Sequence, residues 1–264
     1  MFLSHVLNFP ARVCDSSLTC RQPSQAIAAT YNSDRISALS VATCYTNKLN
    51  GTIPDRISDL VNLQTVVSGI ILVELSQISF LQRLSIGNNN LEGQIPDKIF
   101  ERKRLTELYL MSNKFVGSIL NSISNLEMLT KLDLSGNRYN GSLGDSMTKL
   151  NQLIWIDLSH NFFTGLTSGQ LIARIPNELL KMEMVQGIDI SNNNLSGGTP
   201  ETIQNCRNLQ SLHLLGNQLS GSIYDEIFPA LDVLSYINFS RNKLEGEIPG
   251  SMANLTLLIL VDLS

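Results

Sequence analysis

An asparagine that returns at a nearly constant interval constrains this chain more than any other feature. Asn89, Asn113, Asn137 and Asn161 stand 24 residues apart, Asn193 and Asn217 are 24 apart again, and Asn242 follows after 25. Asn47 belongs to the same series. Each sits in one pattern, L-x-x-L-x-L-x-x-N-x-L-x-G-x-I-P, whose positions are numbered here first to sixteenth. Leu81, Leu84, Ile86, Asn89, Leu91, Gly93, Ile95 and Pro96 fill every fixed position. Leu209, Leu212, Leu214, Asn217, Leu219, Gly221 and Ile223 do the same, with Tyr224 in place of proline. Self-similarity at such a period marks a repeat architecture, in which each unit buries its apolar side only against its neighbours.

The fourth and sixth residues are apolar and alternate with polar ones, as a strand with one buried face requires. Stacking such strands at about 4.8 Å builds one parallel sheet over a continuous interior. The asparagine turns the chain inward, and its amide can satisfy backbone groups that the bend leaves unpaired. The glycine allows a conformation in which a side chain would clash. Pro54, Pro96, Pro176, Pro200 and Pro249 hold the sixteenth position and start an outer segment. The expected fold is an α/β solenoid over residues 39–264. It is a horseshoe or superhelix of about ten repeats, with an inner parallel sheet and irregular or 3-10 outer segments. Two repeats are irregular, near 63–75 and 166–176. Asn47 to Asn89 spans 42 residues, six short of two units, and Gly69, Ile71, Leu72 and Leu75 read as the tail of a unit with a shortened strand. Asn161 to Asn193 spans 32, and both a lost strand and an eight-residue insertion fit.

With 43% hydrophobic and 16% charged residues the chain can bury a core. A net charge of -4 leaves no basic face for nucleic acid. Residues 1–38 form a separate N-terminal segment. There Cys14 and Cys20 are close enough to pair, although two free thiols fit equally well. No apolar run approaches the roughly 20 residues of a membrane helix; the longest candidates are 70–73 and 257–261. The opening residues read poorly as a signal peptide, because no Lys or Arg precedes the apolar stretch and His5 and Asn8 interrupt it. His5, His160 and His213 are dispersed without metal-ligand spacing. Asp157 and His160 lack a nucleophile elbow. No catalysis, cofactor or metal is expected.

The N-x-L-x-G-x-I-P tail resembles the plant-specific class of leucine-rich repeats, found in receptor kinases, receptor-like proteins and secreted inhibitors of cell-wall-degrading enzymes. The stretches 184–197, 205–209 and 234–249 resemble the membrane-proximal repeats of flagellin-sensing receptor kinases. The resemblance implies a peptide or protein ligand on the inner face and a co-receptor near the C-terminal repeats. It also implies a place at the extracellular face of the plasma membrane, in plant defence signalling. The glycine-rich loop, V-A-I-K, H-R-D and D-F-G motifs of a serine/threonine kinase are absent from this chain. Cys14 and Cys20, followed by residues 35–39, resemble a decayed N-terminal cap that lacks the usual tryptophan and glycine. Leu263 and Ser264 end just past a sixth position with nothing polar to cover the last turn, which reads as a fragment or a truncated relative.

Side chains in the second, third, fifth, seventh and eighth positions are expected to leave the inner face. Asp133, Asp157, Asp189 and Asp262 in the fifth, and Ser135, Ser159, Ser191 and Ser240 in the seventh, are this repeat's default residues. The departures are the candidate contacts: Arg83, Tyr109, Met111, Trp155, His160, His213, Tyr236, Asn238 and Arg241, with Lys131 and Leu215 beside them. Exposed aromatics and arginine are common anchors of protein interfaces; the competing reading is a solvated face without a partner. Asn50, Asn140, Asn194, Asn238 and Asn254 begin N-x-S/T sequons. Three functions compete: a fragment of a receptor ectodomain, a soluble inhibitor or decoy, and a truncated product without function.

Overall fold

A computed structural model describes residues 50–51, 65–67, 82–95, 97–101, 103–119, 121–143, 147, 150–164, 182–199 and 201–264. The N-terminal segment 1–38 with Cys14 and Cys20, and most of the two irregular stretches, lie outside the described residues.

The third to fifth positions of each repeat form a three-residue strand. Thr65–Val67, Arg83–Ser85, Glu107–Tyr109, Lys131–Asp133, Trp155–Asp157, Gly187–Asp189, Ser211–His213, Tyr236–Asn238 and Leu260–Asp262 line up in that order as one nine-stranded parallel sheet. Fourth-position residues face each other across every rung, from Leu84↔Leu108 to Ile237↔Val261. A slip of one residue would turn this whole apolar row to water, so burial locks the register. From Leu84 to Phe239 the fourth- and sixth-position side chains are at most 3% exposed. On the last rung, Val261 is 41% exposed.

Both irregular spacings resolve into rungs. Trp155–Asp157 pairs directly with Gly187–Asp189. The eight extra residues therefore add no strand to the sheet, a pairing that both an insertion and a lost strand predict. At the other end, Thr65–Val67 keeps three residues and pairs with Arg83–Ser85. The shortfall lies in the stretch between residues 67 and 83, not in the strand where it was expected.

A second set of parallel strands, which the repeat pattern did not announce, runs down one flank. Asn50–Gly51, Asn90–Gly93, Lys114–Ser118, Arg138–Ser142 and Phe162–Thr164 make a five-stranded sheet. Ser196–Gly197, Gln218–Gly221 and Lys243–Leu244 make a three-stranded one, and a Thr164↔Asn194 bridge connects the two. After the asparagine turn the chain is extended, with the eleventh residue buried and its neighbours facing out. That is the two-residue alternation of a half-buried strand. The glycines of the thirteenth position close these strands at positive φ, for example +99° at Gly117 and +80° at Gly141, where an L side chain is strained. The outer segments are short 3-10 helices, as expected: Asp97–Glu101, Asn121–Asn125, Glu201–Asn205, Asp225–Ala230 and Gly250–Asn254.

The asparagine side chains join rung to rung. Asn137 Nδ2 donates to the carbonyls of Leu134 (3.1 Å) and Ser135 (3.1 Å) in its own turn and of Leu110 (3.0 Å) in the preceding one. Its Oδ1 accepts from Phe115 N–H at 3.0 Å. Asn113, Asn161, Asn193, Asn217 and Asn242 repeat the same connections. Behind them the eleventh-position aromatics stack, Phe115 on Tyr139 at 6.4 Å and Tyr139 on Phe163 at 6.1 Å between ring centroids. The Tyr139 hydroxyl is buried without a hydrogen-bond partner, and burial holds its pKa well above the ordinary 10.0.

Two outcomes follow. Asn137→Ala should lower unfolding free energy by about 2–4 kcal/mol in urea, because several buried backbone groups lose their partner at once. Tyr139→Phe should be neutral or stabilising by up to about 1 kcal/mol. A raised folded pKa means that stability from this phenol is complete below about pH 10 and lost as pH rises through the folded value. Thermal melts of wild type should therefore fall more steeply above that pH than those of Tyr139→Phe. The buried Cys206 thiol, pushed up to about 12, adds a loss of the same sign to both proteins.

Candidate partner-binding face

The rungs present their third and fifth residues on the inner face, and the turn beyond presents the seventh and eighth. That turn has a fixed shape. Asn88, Ser112, Gly136, His160, Asn192, Gly216 and Arg241, all in the eighth position, have φ between +52° and +66°. Two candidate contacts, His160 and Arg241, thus project from left-handed backbone that costs a non-glycine residue about 1 kcal/mol.

Fifth-position carboxylates hold the same turn from its other side. Asp133 Oδ1 accepts from Ser135 N–H (3.0 Å) and Oγ–H (2.6 Å). Asp157 and Asp189 accept from the backbone of Ser159 and Ser191, each at 2.9 Å. Asn238 does so with Ser240, by N–H at 3.1 Å and Oγ–H at 2.7 Å. One oxygen of each carboxylate is therefore committed to the fold, and the other retains acceptor capacity. Asp157 has its pKa raised, first by burial and further by the charges of Asp189 and Asp133, while the Ser159 hydrogen bonds oppose the rise.

The candidates divide into separate groups. Arg83 is ion-paired with Glu107 (Nε–Oε2 2.6 Å), and Lys131 lies 3.9 Å from the same carboxylate. Tyr109 is half-buried on the neighbouring rung, and Met111 folds over Gly87. Further along, Trp155 and Tyr236 are each 41% exposed in the third-position row. Gly187 and Ser211 are the two rungs between them, which sets them about 14 Å apart at 4.8 Å per rung. His213 is half-buried in the fifth-position row beside Asp189. His160 is exposed, with Nε2 at 3.2 Å from Asn192 Nδ2. Arg241 is exposed near Asp262, whose carboxyl it helps to lower after the Ser264 hydrogen bonds. Gly187 escaped the sequence reading. A Cβ there would coincide with the six-membered ring of the Trp155 indole. The only available signal was a glycine in a row of larger side chains.

Among the sequons, Asn140, Asn194 and Asn254 are exposed away from the inner sheet. Asn238 is half-buried in its own turn, and the Asn50 side chain lies outside the described residues. No helix of the described residues is long and apolar enough to cross a membrane, and none of their His, Cys, Asp and Glu form a metal-holding group.

A leucine-rich-repeat sequence profile matches residues 79–138, and a second matches 184–206 and 233–255. The fold is a leucine-rich-repeat solenoid. Receptor like protein 24 of Arabidopsis thaliana is 37% identical over 102 residues, covering 37% of this chain and 11% of that protein. The Arabidopsis receptor kinase HAESA, solved with the peptide hormone IDA and the co-receptor SERK1, superimposes with a TM-score of 0.74 at 31% identity; the match covers 85% of this chain and 37% of that one. PEPR1, solved with AtPEP1, gives 0.75 at 30%, over 88% of this chain and 33% of that one. The chain thus spans about a tenth of the curated relative and about a third of each ectodomain.

Replacing His160 by glycine relieves the positive φ while removing the side chain. His160→Gly should leave the melting temperature unchanged or raise it, by up to about 1 kcal/mol of stability. Differential scanning calorimetry checks this.

Proposed function

We propose that this chain is part of the extracellular ligand-recognition region of a plant pattern-recognition receptor, binding a peptide or protein along its inner face in defence signalling. The reading rests on one observation: Trp155 and Tyr236 stand exposed in one row of a sheet whose other face is packed from Leu84 to Phe239. Residues of this type, rigid and amphipathic, are common interface anchors. Support comes from the likeness to ectodomains solved with peptide hormones and to a receptor-like protein. Tyr236, Asn238 and Arg241 form the surface offered to a co-receptor, in line with the resemblance to membrane-proximal repeats. The parent protein resides at the plasma membrane with these repeats outside the cell, and glycans on Asn140, Asn194 and Asn254 leave the inner face open.

Screening the chain against an immobilised peptide array should yield partners whose affinity falls at least about tenfold in the Trp155→Ala/Tyr236→Ala double variant. The circular dichroism spectrum should be unchanged. Partners held with equal affinity by that variant put binding elsewhere and overturn the reading. Expressed through a plant secretory pathway, the chain should carry glycans at Asn140, Asn194 and Asn254 by glycopeptide mass spectrometry.

A further inference from the structure

On the inner face, three consecutive rungs differ from the rest. Trp155, Gly187 and Ser211 hold their third positions, and Asp157, Asp189 and His213 their fifth. Bulk and charge are arranged there with a definite sense. The indole of Trp155 occupies the space that any side chain on Gly187 would fill, so it leans toward the C-terminal rungs and still exposes 41% of its surface. Gly187 and Ser211 are buried although they belong to the open row. Tyr236 bounds them on the far side.

Charge is unbalanced in the same place. Asp133, Asp157 and Asp189 are consecutive register partners in the fifth-position row, about 4.8 Å apart. Each has spent one oxygen on its serine turn. No lysine or arginine occupies an inner-face position of the Trp155, Gly187 or Ser211 rungs. Among the described residues the flanking inner-face cations are Lys131, beside Glu107, and Arg241, beside Asp262. Among the described residues no lysine or arginine pairs with Asp157 or Asp189, His213 is the next residue in their row, and an aromatic ring is set beside them.

We infer that this stretch of the inner face takes an extended peptide segment bearing an arginine or lysine side chain, its cationic head on the Asp157–Asp189 pair and its stem along the Trp155 indole. The chemistry is complementary on both counts. A guanidinium or ammonium group is attracted to the face of an indole, and a carboxylate pair without a cation of its own adds charge attraction. Strand-like ligand backbone suits a surface whose subsites repeat at every rung. This assignment rests on the inner-face reading above and specifies the ligand class.

The chain has a single tryptophan, so its intrinsic fluorescence reports on Trp155 alone. The probes are three acetylated, amidated pentapeptides, Ala-Ala-X-Ala-Ala, with X as arginine, glutamine or glutamate. The arginine peptide should change the emission saturably and more weakly as salt is raised, while the glutamate peptide should not. Asp157→Asn/Asp189→Asn should weaken the arginine peptide at least about tenfold. It should fold normally, because Asn238 already closes the same turn with Ser240. Gly187→Ala should shift the emission of the free protein by displacing the ring, and weaken the peptide too. An equal response to all three peptides, a response unaltered in the double asparagine variant, or the same signal from calcium alone overturns the assignment. If array partners still depend on Trp155 and Tyr236 while the arginine peptide gives no signal, the ligand class fails and the inner-face reading stands. If the arginine peptide binds but Trp155→Ala leaves that binding intact by calorimetry, both fail.

Discussion

The structure depends on an amide that belongs to two repeats at once. From Asn113 to Asn242, each ninth-position asparagine donates to carbonyls of its own turn and of the turn before, and accepts an N–H from the preceding flank strand, as Asn113 does with Ile86, Leu110 and Leu91. The side chains are 5–9% exposed from Asn113 to Asn217. Water therefore does not replace what they supply, and an unmet buried backbone group costs more than an ordinary hydrogen bond contributes. The link also explains why repeat length is negotiable. Asn193 reaches the Leu158 carbonyl at 3.0 Å across 35 residues of chain, with the same geometry that its neighbours use across 27. Wherever strand and asparagine are present among the described residues, the rung forms.

Because the core side of the sheet and the asparagine ladder carry stability, the inner face is released from packing demands. Its third- and fifth-position residues vary from rung to rung while the fourth stays Leu, Ile or Val. The carboxylates are an exception with two roles. They close the serine turn that delivers the chain to its left-handed eighth residue, and they leave charge on the inner face. A default residue of the repeat can thus be scaffold and ligand-facing group together. Their neighbours separate the cases: Glu107 is flanked by Arg83 and Lys131, whereas Asp157 lies between other carboxylates, which add to the burial that raises its pKa.

The candidate contacts do not form one site. Arg83, Tyr109 and Met111 belong to early rungs, with Arg83 already neutralised by Glu107 and Met111 packed over Gly87. Trp155, His213 and Tyr236 share a compact later segment. Asn238, picked out for its place on the inner face, is a turn-closing residue whose Oδ1 is occupied.

The one-dimensional pattern determined the solenoid, the strand positions, the buried leucines and the asparagine's role, because each repeat meets only its neighbours and local periodicity is then the whole architecture. It also marked Trp155 and Tyr236 as outward-facing. It did not reveal the flank sheet, since an N-x-L-x-G alternation is too short to read as a strand before its neighbours pair with it. Nor did it show that the strands on either side of the 32-residue spacing pair directly, Trp155 with Gly187. That a glycine lies under the tryptophan, and that carboxylates form a column there, follows from residues 32 positions apart. Only stacking brings them side by side, so only the tertiary structure decided that they meet.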